Sequence, residues 1–188
     1  MTADLLHRVT ATDLEIRSGS GGRTICGIAC PFDQPAEVAD RIGRPYTETV
    51  VRGAFARTIS ERANRIKART MHDKAVLPVG SASMLREDTA GLYAELRIAQ
   101  TQAGDDVLEL VREGHVNGLS IGFRPVRDDW NATRSAVSRL EVALFEISVV
   151  DEPAYSGAVI SGVRSASHIP PTTEVRRRRL EILYRSIP

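Results

Sequence analysis

The sequence lacks most of the features that would sort it quickly into a class. Cysteine occurs only twice, as Cys26 and Cys30. Both lie in "TICGIACPF", which reads as a strand, where they share a face but stand too far apart to bridge without a bend. They are expected as small buried thiols in a reducing compartment, and no further ligands lie near them for a metal site. Aromatic residues make up 5% of the chain, too few to suggest stacking on nucleic-acid bases. An excess of one charge is missing too. The formal net charge is +1, so no global field points to nucleic acid or an anionic membrane. No apolar run is long enough to span a bilayer. The N-terminus "MTADLLHRVTATDLEIRSGSGG" lacks the apolar segment of a signal peptide. A soluble, intracellular protein is expected, with no cofactor, no metal and no membrane partner.

What is present fits an ordinary globular chain. Its 188 residues, 42% hydrophobic and 26% charged, suit one domain with a modest core plus extra segments. "HRVTATDLEIR" alternates loosely as strand, and "SGSGG" reads as a turn or flexible loop. "RTICGIACPF" reads as a buried strand, followed by the loop "DQPAEVADRIGRP". "YTETVVRGAF" is a short strand leading into a helix at about Phe55 to Asn64. "RIKARTMHD" reads as a strand ending at His72 and Asp73, and "LPVGSASMLRED" and "GLYAELRIA" form a hairpin. The clearest helix is "AGDDVLELVREGHVNG". Asp105 and Asp106 suit its first turn, Val107, Leu108 and Val111 form an apolar stripe, and Gly114 is the expected C-cap. "LSIGFRPVRDDW" and "SRLEVALFEISVVDEP" are two more strands, the second long and central. A main domain over 1–163 is expected, then a Pro/Ser linker and a short basic helix over 164–188. Little β-α-β alternation is visible. The pattern predicts an α+β, strand-rich fold, a closed or strongly curved β-barrel of about six to seven strands with flanking α-helices.

One stretch carries chemistry. Gly118-Leu119-Ser120-Ile121-Gly122 matches G-x-S-x-G, the nucleophile elbow of the α/β-hydrolases. The elbow needs a strand before the serine and a helix after it, whereas here a helix precedes Ser120 and a strand follows. That fold also needs its histidine later in the chain, and the only later one is His168, in the linker. The elbow is therefore rejected. On a strand, Gly118, Ser120 and Gly122 face one way and Leu119, Ile121 and Phe123 the other. The glycines would leave room over Ser120 for a peptide backbone. The same pattern also suits a bulged strand with an incidental serine.

Two further residues stand out. His72 lies where a strand gives way to a loop, a good position for a base, although a lone histidine is more often structural. His115 is near Ser120 in sequence but falls in a helix-to-strand turn and is expected to be solvated. Glu146 interrupts a buried run, in which Val142, Leu144, Glu146, Ser148 and Val150 share one face. A carboxylate there is costly unless it is paired. A histidine would satisfy it and be held by it in one tautomer. Asp73 is the rival partner, but its side chain should point away from that of His72. The alternative for Glu146 is an exposed edge position.

The order His72, Ser120, Glu146, together with "PFD", "RGAF", "MHD", "GLSIGF" and "EISVVDEPAY", resembles the prohead (capsid-maturation) proteases of tailed bacteriophages. These are relatives of the herpesvirus maturation protease, assemblin. The resemblance covers about Thr24 to Val163 and rests on the order and spacing of the pieces together. It implies a serine endopeptidase on a β-barrel surrounded by helices, with Ser120 as nucleophile, His72 as general base and Glu146 as the third member. By analogy the oxyanion donors are backbone N–H groups near Ala154 and Tyr155, with Gly118 and Gly122 beside the substrate. The resemblance further implies scaffolding and capsid subunits as substrates, self-cleavage, action inside the assembling prohead in the host cytoplasm, and pairing of two copies as in assemblin. No nucleic-acid partner is expected. Two other readings share these residues: a catalytically silent scaffold or assembly protein that kept the fold, and a different serine hydrolase such as an esterase.

Overall fold

In the computed structural model, residues 6–11, 15–17, 22–40 and 42–151 are described. They form ten strands and two α-helices, with a 3-10 turn at Ala63–Arg65: β1 (Leu6–Ala11), β2 (Glu15–Arg17), β3 (Thr24–Pro31), β4 (Ala36–Ala39), β5 (Pro45–Val50), α1 (Ala56–Arg62), β6 (Lys67–Thr70), β7 (Gly80–Glu87), β8 (Gly91–Ile98), α2 (Gln102–Arg112), β9 (Gly118–Trp130) and β10 (Ala136–Val150). The tail expected over 164–188, and the domain boundary before it, lie outside the described residues.

The strands make one mixed sheet. Its main path runs β1-β9-β10-β6-β7-β8-β3-β2, with β5 and then β4 branching from β10. This overturns the expected closed or strongly curved barrel of six to seven strands. The sheet is open, its path ends β1 and β2 have separate partners, and the helices are only 7 and 11 residues long. The cause is the length of β10. Its 15 residues take β9 along one edge, while the other edge pairs with β5 at Ala136–Arg139 and with β6 at Glu146–Val149, both in parallel. Parallel pairs need crossovers rather than hairpins. A reading that places strands along the chain without their partners does not reveal such a fork.

The core lies on one face of this sheet. Leu92, Leu96 and Ile98 of β8, Leu119, Ile121 and Phe123 of β9, and Leu144 and Ile147 of β10 are all buried, joined by Val107, Leu108 and Val111 of α2. Both ends of α2 are capped, the C-terminal end at the glycine that the sequence suggests. The Thr101 side chain accepts the Gly104 N–H at 3.2 Å. The N–H groups of Gly114 and His115 donate to the Val111 and Leu110 carbonyls, with Gly114 at φ +76°, a Schellman ending that suits glycine. Two motifs that carried the family resemblance prove to be packing devices. Phe32 of "PFD" stacks on Phe55 of "RGAF", with ring centroids 6.2 Å apart. The Glu87 carboxylate accepts the Gly53 and Phe55 N–H groups, each at 2.8 Å, at the start of α1.

The first part of β10 is fastened by a buried ion cluster. Arg139 is 2% exposed and Glu48 of β5 is not exposed at all. Their side chains meet at 2.6 Å, Asp128 of β9 accepts from the same guanidinium at 2.5 Å, and Tyr46 Oη lies 3.2 Å away. Burial alone would pull the Arg139 pKa down, but Glu48 and Asp128 outweigh it and hold the charged form. Arg139→Ala would take the guanidinium away from the buried Glu48 carboxylate, so it should lower the unfolding free energy by ~3–5 kcal/mol. Urea denaturation reads this against Glu109→Ala, which removes only an exposed pair with Arg112 and should lose under ~1 kcal/mol. Equal losses would remove the cluster from the account.

Asp128 gives a pH signature. Burial raises its carboxyl above the ordinary 3.8, and Arg139 offsets only part of this. Its Oδ1 is buried without a hydrogen-bond partner among the described residues. The folded state thus holds this proton more tightly than the unfolded chain. Its contribution is fully present below the unfolded value and is lost as pH rises through the raised folded one. Relative to Asp128→Asn, the wild type should therefore gain stability as pH falls from neutral toward the ordinary carboxylate range. Paired urea melts across that range check it, and a constant difference between the two proteins would count against it.

Candidate active site

Ser120 sits within β9, opposite Val9 of β1 on one side and Ser148 of β10 on the other. Because Leu119, Ile121 and Phe123 point into the core, Gly118, Ser120 and Gly122 share the opposite face. What reaches that face from β10 depends on a bulge. Leu144 pairs with Phe123, yet Glu146 pairs with Gly122, so Phe145 is an extra residue in the ladder. One inserted residue reverses the alternation beyond it. Val142 and Leu144 therefore belong to the core face, while Glu146, Ser148 and Val150 lie on the side of Ser120. The single shared face expected from Val142 to Val150 is corrected accordingly.

Gly122 shows how tightly Glu146 fits. A Cβ at this position would lie 2.5 Å from Glu146 Oε1 and 2.8 Å from its Cγ. Only glycine lets the carboxylate lie across β9 here. Glu146 is 3% exposed and Ser120 has no exposed surface.

His72 arrives from a turn, not from a strand. β6 ends at Thr70, opposite Val149 of β10. The Asp73 N–H donates to the Thr70 carbonyl at 2.9 Å, and Met71 and His72 between them have φ of 49° and 56°. Positive φ at both central residues is the type I′ pattern that normally selects Asn and Gly. A methionine and a histidine there cost ~1 kcal/mol or more each. The turn is braced from several sides. The Met71 N–H donates to the Val149 carbonyl at 3.1 Å. Arg69 donates to the Asp73 and Val76 carbonyls, both at 2.9 Å. The Asp73 carboxylate accepts the Ala75 N–H at 2.7 Å; it is not the partner of the imidazole.

The turn swings the His72 ring over the sheet. Its Nδ1 lies 2.7 Å from Glu146 Oε1, and its Nε2 is in hydrogen-bond contact with Ser120 Oγ. A carboxylate only accepts, so the neutral ring carries its proton on Nδ1 and presents the Nε2 lone pair to the Ser120 hydroxyl. His72 and Glu146 side chains are 16% and 4% exposed, so the pair works in a medium where charge interactions are stronger than in water.

The structure thus brings His72, Ser120 and Glu146 together. Gly118 lies at the start of β9, opposite Val150 and Ala11. Ala154 and Tyr155, the expected oxyanion donors, lie outside the described residues, as does His168. His115 is exposed in the turn after α2. Reasoning from the sequence did not single out Ser148, whose hydroxyl donates to Glu146 Oε2 at 2.7 Å and accepts the His72 backbone N–H at 3.2 Å. Its place opposite Ser120 follows from register, which the residue type does not signal. Among the described residues, no group of three or more His, Cys, Asp or Glu could hold a metal ion.

Comparison with known proteins places the chain in a family. The prohead protease of Enterobacteria phage HK97 is 28% identical over 130 residues, covering 68% of this chain and 58% of that protein. The chain therefore spans 58% of the length of that relative. The structure of the bacteriophage T4 capsid assembly protease superposes with a TM-score of 0.55 at 14% identity, over 78% of this chain and 97% of that one. At this identity the likeness speaks for the fold alone. The model of one family, the caudovirus prohead serine proteases, matches residues 11–172, most of the molecule and all of the site just described, and the chain belongs to that family.

Proposed function

We propose that the protein is a serine endopeptidase that cleaves scaffolding and capsid subunits, and itself, inside an assembling prohead in the host cytoplasm. The observation that carries this reading is the hydrogen-bonded chain from Ser120 through His72 to Glu146. In the proposed reaction His72 Nε2 takes the Ser120 proton as Oγ attacks a peptide carbonyl. It then protonates the leaving amine, and water releases the acyl group by the same route. Glu146 holds the ring's tautomer and stabilises the imidazolium. Backbone N–H groups near Ala154 and Tyr155 would serve the oxyanion. Ser120 has no exposed surface, and its hydroxyl is turned to His72 Nε2. Pairing of two copies belongs to the same reading.

Mass spectrometry of purified protein incubated with scaffolding and capsid subunits tests the proposal. The wild type should shorten itself and its substrates, and Ser120→Ala should slow cleavage by ~10³-fold or more. If both proteins leave every chain at full length, the silent assembly protein becomes the better reading. Turnover of small esters without cleavage of protein would favour the esterase. Gly122→Ala makes a more local demand. Its Cβ would press on Glu146 Oε1 at 2.5 Å, so the carboxylate has to shift from its place beside Nδ1. Cleavage should then fall by ~10²-fold or more, in a protein whose circular dichroism matches the wild type. Unchanged cleavage by Gly122→Ala would argue that Glu146 plays no part.

A further inference from the structure

We infer that Ser148 is a positioning residue of this site, holding the Glu146 carboxylate and the His72 backbone in one ring of hydrogen bonds. The inference rests on the proposed reading of His72 and Glu146 as base and orienting acid. Ser148 is fully buried. It stands opposite Ser120 on β9 and beside Arg69 on β6, between the strand that carries the serine and the strand that launches the histidine.

A serine hydroxyl has one proton and two lone pairs. Here the proton goes to Glu146 Oε2 at 2.7 Å, and the oxygen accepts the His72 N–H at 3.2 Å. Glu146 Oε1 is 2.7 Å from His72 Nδ1. The carboxylate is therefore held at both oxygens, and His72 at both its backbone and its ring. A glutamate's last torsion is soft, and the His72 turn holds a positive φ that residues other than glycine adopt uncommonly. Each is a freedom that would let the imidazole leave Ser120, and one hydroxyl restricts both. An ordinary buried serine needs only one partner to be satisfied. This one instead connects the two groups whose relative position sets the geometry of proton transfer.

The hydroxyl also moderates charge. A hydrogen bond to a carboxylate favours its ionised form and disperses its charge. Without the bond, the Glu146–His72 pair should take up its proton at higher pH. Among the described residues, Lys67 and Arg69 take the β6 register positions beside Glu146 and Ser148, and Asp73 follows His72 in the turn. His7 of β1 takes the register position opposite Gly122. None of these is altered by a change at Ser148.

The test uses the full chain with Ser120→Ala, so that nothing is cut, and follows the ring protons of His72 by NMR as pH is varied. A His72→Gln sample assigns the signal. Adding Ser148→Ala should move the titration of His72 upward, whereas Ser148→Thr, which keeps the hydroxyl, should leave it where it is. If threonine's extra methyl is not tolerated, Ser148→Cys, with its weaker donor, should fall between the two. In the protein that retains Ser120, Ser148→Ala should lower the rate of Ser120 labelling by a fluorophosphonate ~10- to 100-fold at neutral pH and shift the acid limb of its pH profile upward. A merely structural serine would lower the melting temperature and leave both pH profiles in place, and that result would overturn the inference. Failure of the wild type to label at all would count against the protease reading, while the NMR titration would still decide the part played by Ser148.

Discussion

The site depends on one extra residue in one strand. Without the bulge at Phe145, the alternation that carries Leu144 into the core would carry Glu146 there with it. The acid would then be stranded among aliphatic side chains, and Ser148 with it. With the bulge, β10 fills the core with Val142 and Leu144, changes phase, and places Glu146 and Ser148 beside Ser120. The core contacts resume at Ile147 and Val149. A strand buried on both faces can thus supply apolar packing to one side and a polar network to the other.

β10 holds a buried ionic cluster at each end, and the two differ in kind. At Arg139 the opposite charges of Arg139 and Glu48 are locked together, with aromatic rings of Tyr46 and Trp130 near the guanidinium. Such a cluster joins β5, β9 and β10. At Glu146 the partner is a histidine, a group able to gain and lose a proton in the physiological range. The first cluster anchors the strand, and the second gives it a reactive face. Buried polar groups of both kinds are tolerable only when their bonding capacity is met, which explains why Gly122, Ser148 and the braced His72 turn are all found around a single carboxylate.

The chemistry of the site was more legible in the sequence than its scaffold. Glu146 betrayed itself by standing in an apolar run, and His72 by its place where a strand ends. Helix α2 was visible because its first-turn acids, apolar stripe and stop signal agree. The four-residue strand β4 was lost in a loop too short to show alternation. The open, forked sheet was missed because strand pairing is nonlocal, and two of the pairs of β10 are parallel. The phase reversal at Phe145 was hidden for the same reason. Nothing in "EVALFEISVV" marks which residue its partner strand will skip. Ser148 became meaningful only once that register was known.

The G-x-S-x-G spacing now has a physical reading unrelated to the hydrolase elbow. In an elbow the strain is placed on the nucleophile, whose sharp turn lifts the serine out of the sheet. Here Ser120 lies in a regular strand, and the unfavourable backbone is at Met71 and His72. The two arrangements solve one problem from opposite sides, since serine and histidine must meet above a sheet whose strands alone would not bring them together. When the serine stays in the ladder, the histidine must be carried to it. The acid must then lie across the serine's own strand to reach the ring. Gly122 provides that crossing, so the second glycine of the motif follows from where the acid lies, with no need of a turn at the serine.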